Sequence, residues 1–162
     1  DALKPRLARS GLSNVHPAAL AHERDERVKR LAGKIDRVLV DAPCSGLGTL
    51  RRNPDLKYRQ SADSVAELNA KQQSILASAA RLVKAGGRLV YATCSLLPDE
   101  NEAVAAAFSQ SHPDFVPLDA SECLARAQVA DPGSLCHNGQ LRLWPHRHGS
   151  DGFFAAVWEK KA

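Results

Sequence analysis

Two stretches of this chain follow the same grammar, and that repetition constrains the fold more than any other feature. The first is Asp36-Arg-Val-Leu-Val-Asp-Ala-Pro-Cys-Ser-Gly-Leu-Gly48. Val38-Leu39-Val40 is a short, unbroken apolar run, as expected of a strand covered on both faces of a parallel sheet. It runs into Asp41, Pro43 and two glycines, so the chain leaves the sheet abruptly. The second stretch, Gly86-Gly-Arg-Leu-Val-Tyr-Ala-Thr-Cys-Ser95, has a glycine break, an apolar strand over residues 89–92 and again a Cys-Ser pair. One long helical pattern separates the two. A strand–helix–strand unit of this kind is right-handed in nearly all cases and makes its strands parallel. Asp41, Cys44 and Cys94 therefore emerge on one rim of the sheet, where open α/β sheets bind their ligands.

The connecting helix is legible in detail. Ser61 suits an N-cap, and Val65, Leu68, Gln72, Ile75, Leu76, Ala79, Leu82 and Val83 recur at helical spacing up to a stop at Gly86. This face is core. Pro98 opens a further helix, with Asp99, Glu100 and Glu102 placed for its dipole and Val104, Ala105 and Phe108 on its apolar side; His112-Pro113 ends it. Phe115–Leu118, Leu141–Pro145 and Phe153–Trp158 read as strands, and residues 119–139 as a loose excursion with turns at Pro132-Gly133 and Asn138-Gly139. Upstream, Asp1 to Arg9 reads as the tail of a helix ended by Gly11. Asn14-Val15 reads as a brief strand, and Ala18 to Leu31 as charged chain with a helical turn or two. A domain rarely opens in mid-helix with no earlier strand to pack on, so an N-terminal truncation is expected.

Composition limits the class. With 162 residues, 44% hydrophobic and 25% charged, the chain suits one soluble globular domain. No apolar run is long enough to cross a membrane, and the opening residues do not read as a secretory leader. The four cysteines include no CxxC pair and read as reduced thiols of a cytoplasmic protein. Cys136-His137 lacks further ligands at metal spacing, so no metal is expected. The net charge of +4 is uneven: residues 1–60 hold 13 basic and 7 acidic side chains, and the remainder is slightly acidic. A basic half suits a polyanionic partner as readily as a solvated surface. The loop Arg51-Arg-Asn-Pro-Asp-Leu-Lys-Tyr-Arg59 interleaves cations with an aromatic ring, a pattern able to hold phosphates and stack on a base. His146 and His148 lie in a polar connection within reach of the rim and are expected to be solvent-exposed.

Two rim cysteines beside a carboxylate can do specific chemistry. A thiolate adds to electron-poor ring carbons as well as to carbonyls. A neighbouring carboxyl group can bond or protonate a ring nitrogen while negative charge accumulates. A second thiol can take part in the elimination that frees the first. Cys94, Cys44 and Asp41 suffice for that sequence on a pyrimidine, with either cysteine as the nucleophile.

These residues carry a resemblance. Asp41-Ala-Pro-Cys-Ser-Gly46 and Ala92-Thr-Cys-Ser95 resemble the fourth and sixth motifs of the RNA cytosine-5 methyltransferases of the Sun (Fmu) type. Leu68-x-x-x-Gln72-x-x-Ile75-Leu76, the Gly86-Gly87 break and Asp151-Gly-Phe-Phe154 are similar too, so the resemblance runs from about residue 10 to 160. It implies an α/β, Rossmann-like class I methyltransferase sheet, with S-adenosylmethionine as cofactor and RNA, ribosomal RNA above all, as partner. Cys94 would then attack carbon 6 of a cytosine, carbon 5 would take the methyl group, and Cys44 would assist release of the covalent adduct. Asp41 would contact the base and the cofactor end of the site, and Pro43 would fix the loop presenting Cys44. Asp25 falls where the family places an acidic contact to the adenine, and Arg51, Arg52 and Lys57 would hold RNA phosphates.

One departure matters. The family's glycine-rich cofactor loop and the acidic residue that holds the ribose have no counterpart in these 162 residues. Residues 1–162 are accordingly read as the C-terminal portion of a methyltransferase domain, N-terminally truncated, with the first strands and cofactor loop absent. Such a fragment should be inactive alone and should leave the strand ending at Asp41 as an exposed edge. A reading from a different class is an RNA-binding or assembly module without turnover, resting on the basic half. A thiol enzyme unrelated to methylation has no His–Cys spacing to support it. An amino-directed methyltransferase would carry Asn/Asp-Pro-Pro-aromatic where this chain reads Asp-Ala-Pro-Cys. Oligomeric state is not encoded in any of these signals.

Overall fold

A computed structural model describes residues 3–162. In chain order these form α1 (Lys4–Ser10), α2 (Glu26–Lys29), β1 (Ile35–Asp41), α3 (Leu56–Arg59), α4 (Ala62–Ala80), β2 (Val83–Thr93) and α5 (Glu102–Ser111). Then follow β3 (Phe115–Leu118), α6 (Ala120–Arg126), β4 (Cys136–His137), β5 (Gln140–Leu143), α7 (Pro145–His148) and β6 (Phe153–Lys160). The six strands make one mixed sheet in the order β1-β2-β6-β5-β4, with β3 also on β6. Only β1 and β2 pair in parallel among the described strands; every other pairing is antiparallel. β6 gives one edge to β2 and divides the other, Phe153 to Ala155 meeting β5 and Val157 to Lys160 meeting β3.

Alternation along the strands selects the core face. Val38, Val40, Leu89, Tyr91, Phe154, Ala156 and Trp158 share one side by register, and all but Val38 are buried. Leu76, Ala79 and Ala80 of α4 and Val104, Ala105 and Phe108 of α5 close over them. Helix α4 starts as expected. Ser61 and Ser64 cap each other reciprocally, each hydroxyl accepting the other's backbone N–H. At the far end of the sheet Phe108 stacks on His112 and meets Trp158 and Phe115 edge-on, with ring centroids 4.8 and 5.4 Å away for the last two.

Four local expectations are corrected. β1 is not covered on both faces: Leu39, on the side opposite α4, is 68% exposed, and β1 is an outer strand of the described sheet. Helix α4 ends at Ala80, not at Gly86. The main chain of Gly33, Lys34 and Ile35 donates to the carbonyls of Arg81 and Leu82, so Leu82 and Val83 leave the helix to start the parallel ladder. Gly86 and Gly87 instead lie inside β2, where the register jumps from Ile35↔Val83 to Arg37↔Arg88. Gly86 has φ +68°, and a Cβ on Gly87 would stand 2.8 Å from Lys84 O. Asn14-Val15 forms no strand, because no neighbouring chain among the described residues offers it a ladder. Residues 119–139 are more ordered than expected. Asp119 accepts from Ser121 N at 2.7 Å and caps α6, a local signal that the turn residues around it obscured.

Candidate active site

The parallel pairing carries the two cysteine motifs to one place. Asp41 and Ala92 are ladder partners, and Ala42 N continues the ladder to Ala92 O at 2.9 Å. Beyond them the chains turn out, β1 through Pro43 and Gly46 (φ 72°), β2 through Cys94. The sulfurs of Cys44 and Cys94 end up 3.4 Å apart, within hydrogen-bond range for thiols, and both side chains are half-buried. The pair shares protons unequally. Donation to Cys94 and then burial push the Cys44 thiol far up, while acceptance of that hydrogen bond lowers Cys94 to about 7. A thiolate is therefore available on Cys94 near neutrality, with a protonated thiol beside it. Asp41 is exposed at the same strand end, and its charge opposes further ionisation of Cys94.

A residue not identified from the sequence lies beneath this pair. Glu100, placed by the sequence only as a helix-dipole partner, is fully buried (0% exposed). One of its oxygens accepts from Ser45 N at 2.8 Å and Gln72 Nε2 at 3.0 Å, and the other from the hydroxyls of Ser45 and Ser95 at 2.5 Å each. Asn101 next to it donates to Ser95 O and bonds the Thr93 hydroxyl. Gln72 also donates to Pro43 O at 3.0 Å, so a polar residue on the apolar face of α4 is accounted for by the loop above it. The sequence held one signal for all this: each cysteine is followed by serine.

The C-terminal Asp-Gly-Phe-Phe motif docks on the same loops. Gly48 N donates to Cys94 O and Gly152 N to Gly48 O, both at 2.8 Å. This close approach needs glycine: a Cβ on Gly48 would lie 2.3 Å from Gly152 O and 2.7 Å from Cys94 O. Arg142, 5% exposed, lies over Trp144, donates to Leu96 O at 2.9 Å and faces Glu102 at 3.4 Å. It ties β5 to the chain just beyond Cys94. The loop histidines differ from each other: His146 is exposed, whereas His148 accepts from Trp144 N and bridges to Ser134 O, bracing α7.

The remaining candidates are dispersed. Arg52 pairs with Asp151 at 3.3 Å, Arg51 reaches toward Gly149 O, and both stay exposed beside the rim. Lys57 lies over the exposed Tyr58 ring and on the wall of an open groove of about 840 Å³, which Leu47, Leu50, Val65, Leu97 and Asp99 also line. Asp25 is not brought to the cysteines. Its carboxylate caps α2 through Arg27 N at 2.9 Å, and Val28 and Lys29 of that helix line a cavity together with Ser78, Arg81 and Leu82 near the end of α4.

Comparison with known proteins agrees with the motif reading. A family model described as 16S rRNA methyltransferase RsmB/F matches residues 2–159. The chain is 42% identical over 160 residues to the probable ribosomal RNA small subunit methyltransferase B of Bacillus subtilis (strain 168), covering 98% of this chain and 35% of that protein. Its counterpart in Synechocystis is 46% identical over 126 residues, with 78% of this chain and 27% of that protein covered. The chain thus spans about a third of the length of the curated relatives it matches. Among solved structures it is similar to PH0851, with a TM-score of 0.84 at 37% identity over 98% of this chain and 34% of the other. NSun6 from Pyrococcus horikoshii, crystallised with SFG, gives a TM-score of 0.74 over 99% of this chain and 38% of that one; at 24% identity this likeness shows the fold alone.

Proposed function

The chain belongs to the 16S rRNA methyltransferase RsmB/F family, and from that premise we propose that the protein it is part of methylates carbon 5 of a cytosine in ribosomal RNA through a covalent adduct on Cys94. The observation that supports this most is the sulfur pair: two thiols 3.4 Å apart, one lowered to about 7 and the other held protonated. Residues 1–162 are, in this reading, the C-terminal portion of an S-adenosylmethionine-dependent methyltransferase domain.

The chemistry follows from that asymmetry. The Cys94 thiolate adds to carbon 6 of the ring, forming a C–S bond and pushing electron density to carbon 5. Asp41, exposed at the strand end, contacts the base and the cofactor end of the site. S-adenosylmethionine, when bound, supplies an electrophilic methyl group. A carboxylate suits its cationic sulfonium and ammonium, so Asp41 fits that role. Pro43 shapes the adjoining wall, and Asp25 is proposed toward the adenine. Once Cys94 is bonded to the ring, Cys44 no longer donates to a thiolate; it gives its own proton to solvent and, as thiolate, takes the proton from carbon 5. The returning electron pair breaks the C–S bond and restores Cys94 as thiolate. Arg51, Arg52 and Lys57 neutralise phosphates of the RNA strand entering beside the rim. The 162 residues alone contain no glycine-rich cofactor loop and are proposed to be inactive in isolation.

The test is an intact-mass assay of the full-length protein with S-adenosylmethionine and 5-fluorocytosine-substituted ribosomal RNA, since fluorine on carbon 5 blocks elimination. An adduct in wild type that vanishes in Cys94→Ala supports the reading. One that survives in Cys94→Ala moves the nucleophile to Cys44. No adduct with RNA binding intact favours an RNA-binding module without turnover, which the basic first 60 residues would also suit.

A further inference from the structure

The two reactive sulfurs sit on separate loops, fifty positions apart in sequence, and neither loop belongs to a regular element at the cysteine itself. Something must fix their separation. Besides the sulfur contact and a direct approach of the Ser45 and Ser95 hydroxyls at 3.2 Å, two ties run between the loops. One is the backbone bond from Gly48 N to Cys94 O. The other is the Glu100 carboxylate, which holds the serine after Cys44 and the serine after Cys94 on one oxygen: Oε2 accepts both hydroxyls at 2.5 Å. Oε1 takes the Ser45 N–H and the Gln72 amide. All four partners are donors, which matches the acceptor-only character of a carboxylate. Glu100 is itself anchored, its carbonyl accepting from the Tyr91 hydroxyl at 2.6 Å within the core. A buried carboxylate is a costly way to fasten two loops when apolar packing would serve, so its presence calls for a further role.

We propose that Glu100 is a positioning residue for the cysteine pair: by holding Ser45 and Ser95 on one carboxylate, it sets the distance between the sulfurs of Cys44 and Cys94. It touches neither sulfur. Its effect passes through the two serines to the loop backbones, and from there to the thiol–thiol contact. Position and charge act in opposite directions here. Keeping the sulfurs in contact favours the Cys94 thiolate, whereas the negative charge of Glu100 disfavours it. The sign of the response to its removal therefore separates the two roles. The proposal concerns the same cysteines as the methyltransferase reading, but thiol alkylation requires neither RNA nor cofactor, so the failure of one is distinguishable from the failure of the other.

The experiment is the pH dependence of iodoacetamide alkylation at Cys94, followed by peptide mass spectrometry on the full-length protein. Wild type should show a midpoint of about 7. In Glu100→Gln the midpoint should rise toward the ordinary thiol range of about 8.5, lowering the alkylation rate at pH 7 roughly tenfold. A midpoint that falls would assign Glu100 a purely electrostatic effect and overturn the proposal, as would an unchanged one. Ser45→Ala guards against simple unfolding, because it removes only the bonds of one hydroxyl, to Glu100 and to Ser95, and leaves the backbone N–H of residue 45 on the carboxylate. With the cooperative thermal transition retained, it should still move the Cys94 midpoint upward. A Ser45→Ala midpoint that stays at about 7 would refute positioning through the serines.

Discussion

Gly48→Ala tests the joint between the two cysteine loops and the C-terminal motif. The added Cβ would be placed 2.3 Å from Gly152 O, 2.7 Å from Cys94 O and 2.9 Å from Gly152 C. All three neighbours are backbone, so no side chain can swing aside. Overpacking of this kind costs about 1–3 kcal/mol. Relief requires separating the loop segments of the joint, which also breaks the Gly48–Cys94 and Gly152–Gly48 hydrogen bonds, each worth about 1 kcal/mol. The expected loss is therefore about 4 kcal/mol, or a drop of about 12 °C in Tm for a domain of this size. Urea denaturation followed by circular dichroism reads it directly, with Gly133→Ala as the control: a Cβ there meets nothing within 4 Å and should change stability by less than about 0.5 kcal/mol. If Gly48→Ala were as stable as that control, the close approach of the three segments would be wrong, and with it the docking of the Asp-Gly-Phe-Phe motif on the rim.

Three further outcomes follow from the core and the sulfur pair. Leu76→Ala, at a fully buried position between α4 and the sheet, should cost about 3 kcal/mol with an unchanged denaturant slope; a loss below about 1 kcal/mol would contradict its place in the core. Cys44→Ala removes the hydrogen bond that chiefly lowers Cys94, so the alkylation midpoint of Cys94 should rise from about 7 toward about 8.5. Because the fold holds Cys94 below its unfolded value and Cys44 above it, the pair gains stability as pH rises from about 7 toward the ordinary thiol range of about 8.5 and loses it again above that range, where Cys44 keeps its proton only in the folded state. In Cys44→Ala the alkaline gain should disappear from the pH dependence of Tm; its persistence would mean that something other than Cys44 lowers Cys94.

Local signals carried much of this protein. The apolar run Val38–Val40, the capped helix from Ser61 and the second apolar run before Cys94 were readable because short-range geometry and periodicity specify them. From these alone came the parallel β1–β2 pair, and hence the meeting of Cys44 with Cys94 at one strand end. The two Cys-Ser motifs likewise pointed to the family without any coordinates. Features that depend on partners distant in sequence were not legible. Nothing local marks Leu82 and Val83 as the start of a strand, since their helical spacing is intact; the carbonyls of residues 81 and 82 are claimed by residues 33–35 across the sheet. Leu39 reads as core until the described sheet leaves its face uncovered. Glu100 reads as an acid placed for a helix dipole, and becomes a buried latch only because the 3₁₀ turn at Pro98–Glu100 aims it between two serines that the sheet has already brought together. Sequence determined which elements form and which thiols meet, because periodicity and caps act over a few residues. Tertiary structure decided what lies beneath those thiols, because a carboxylate can be buried only where donors from remote segments converge on it.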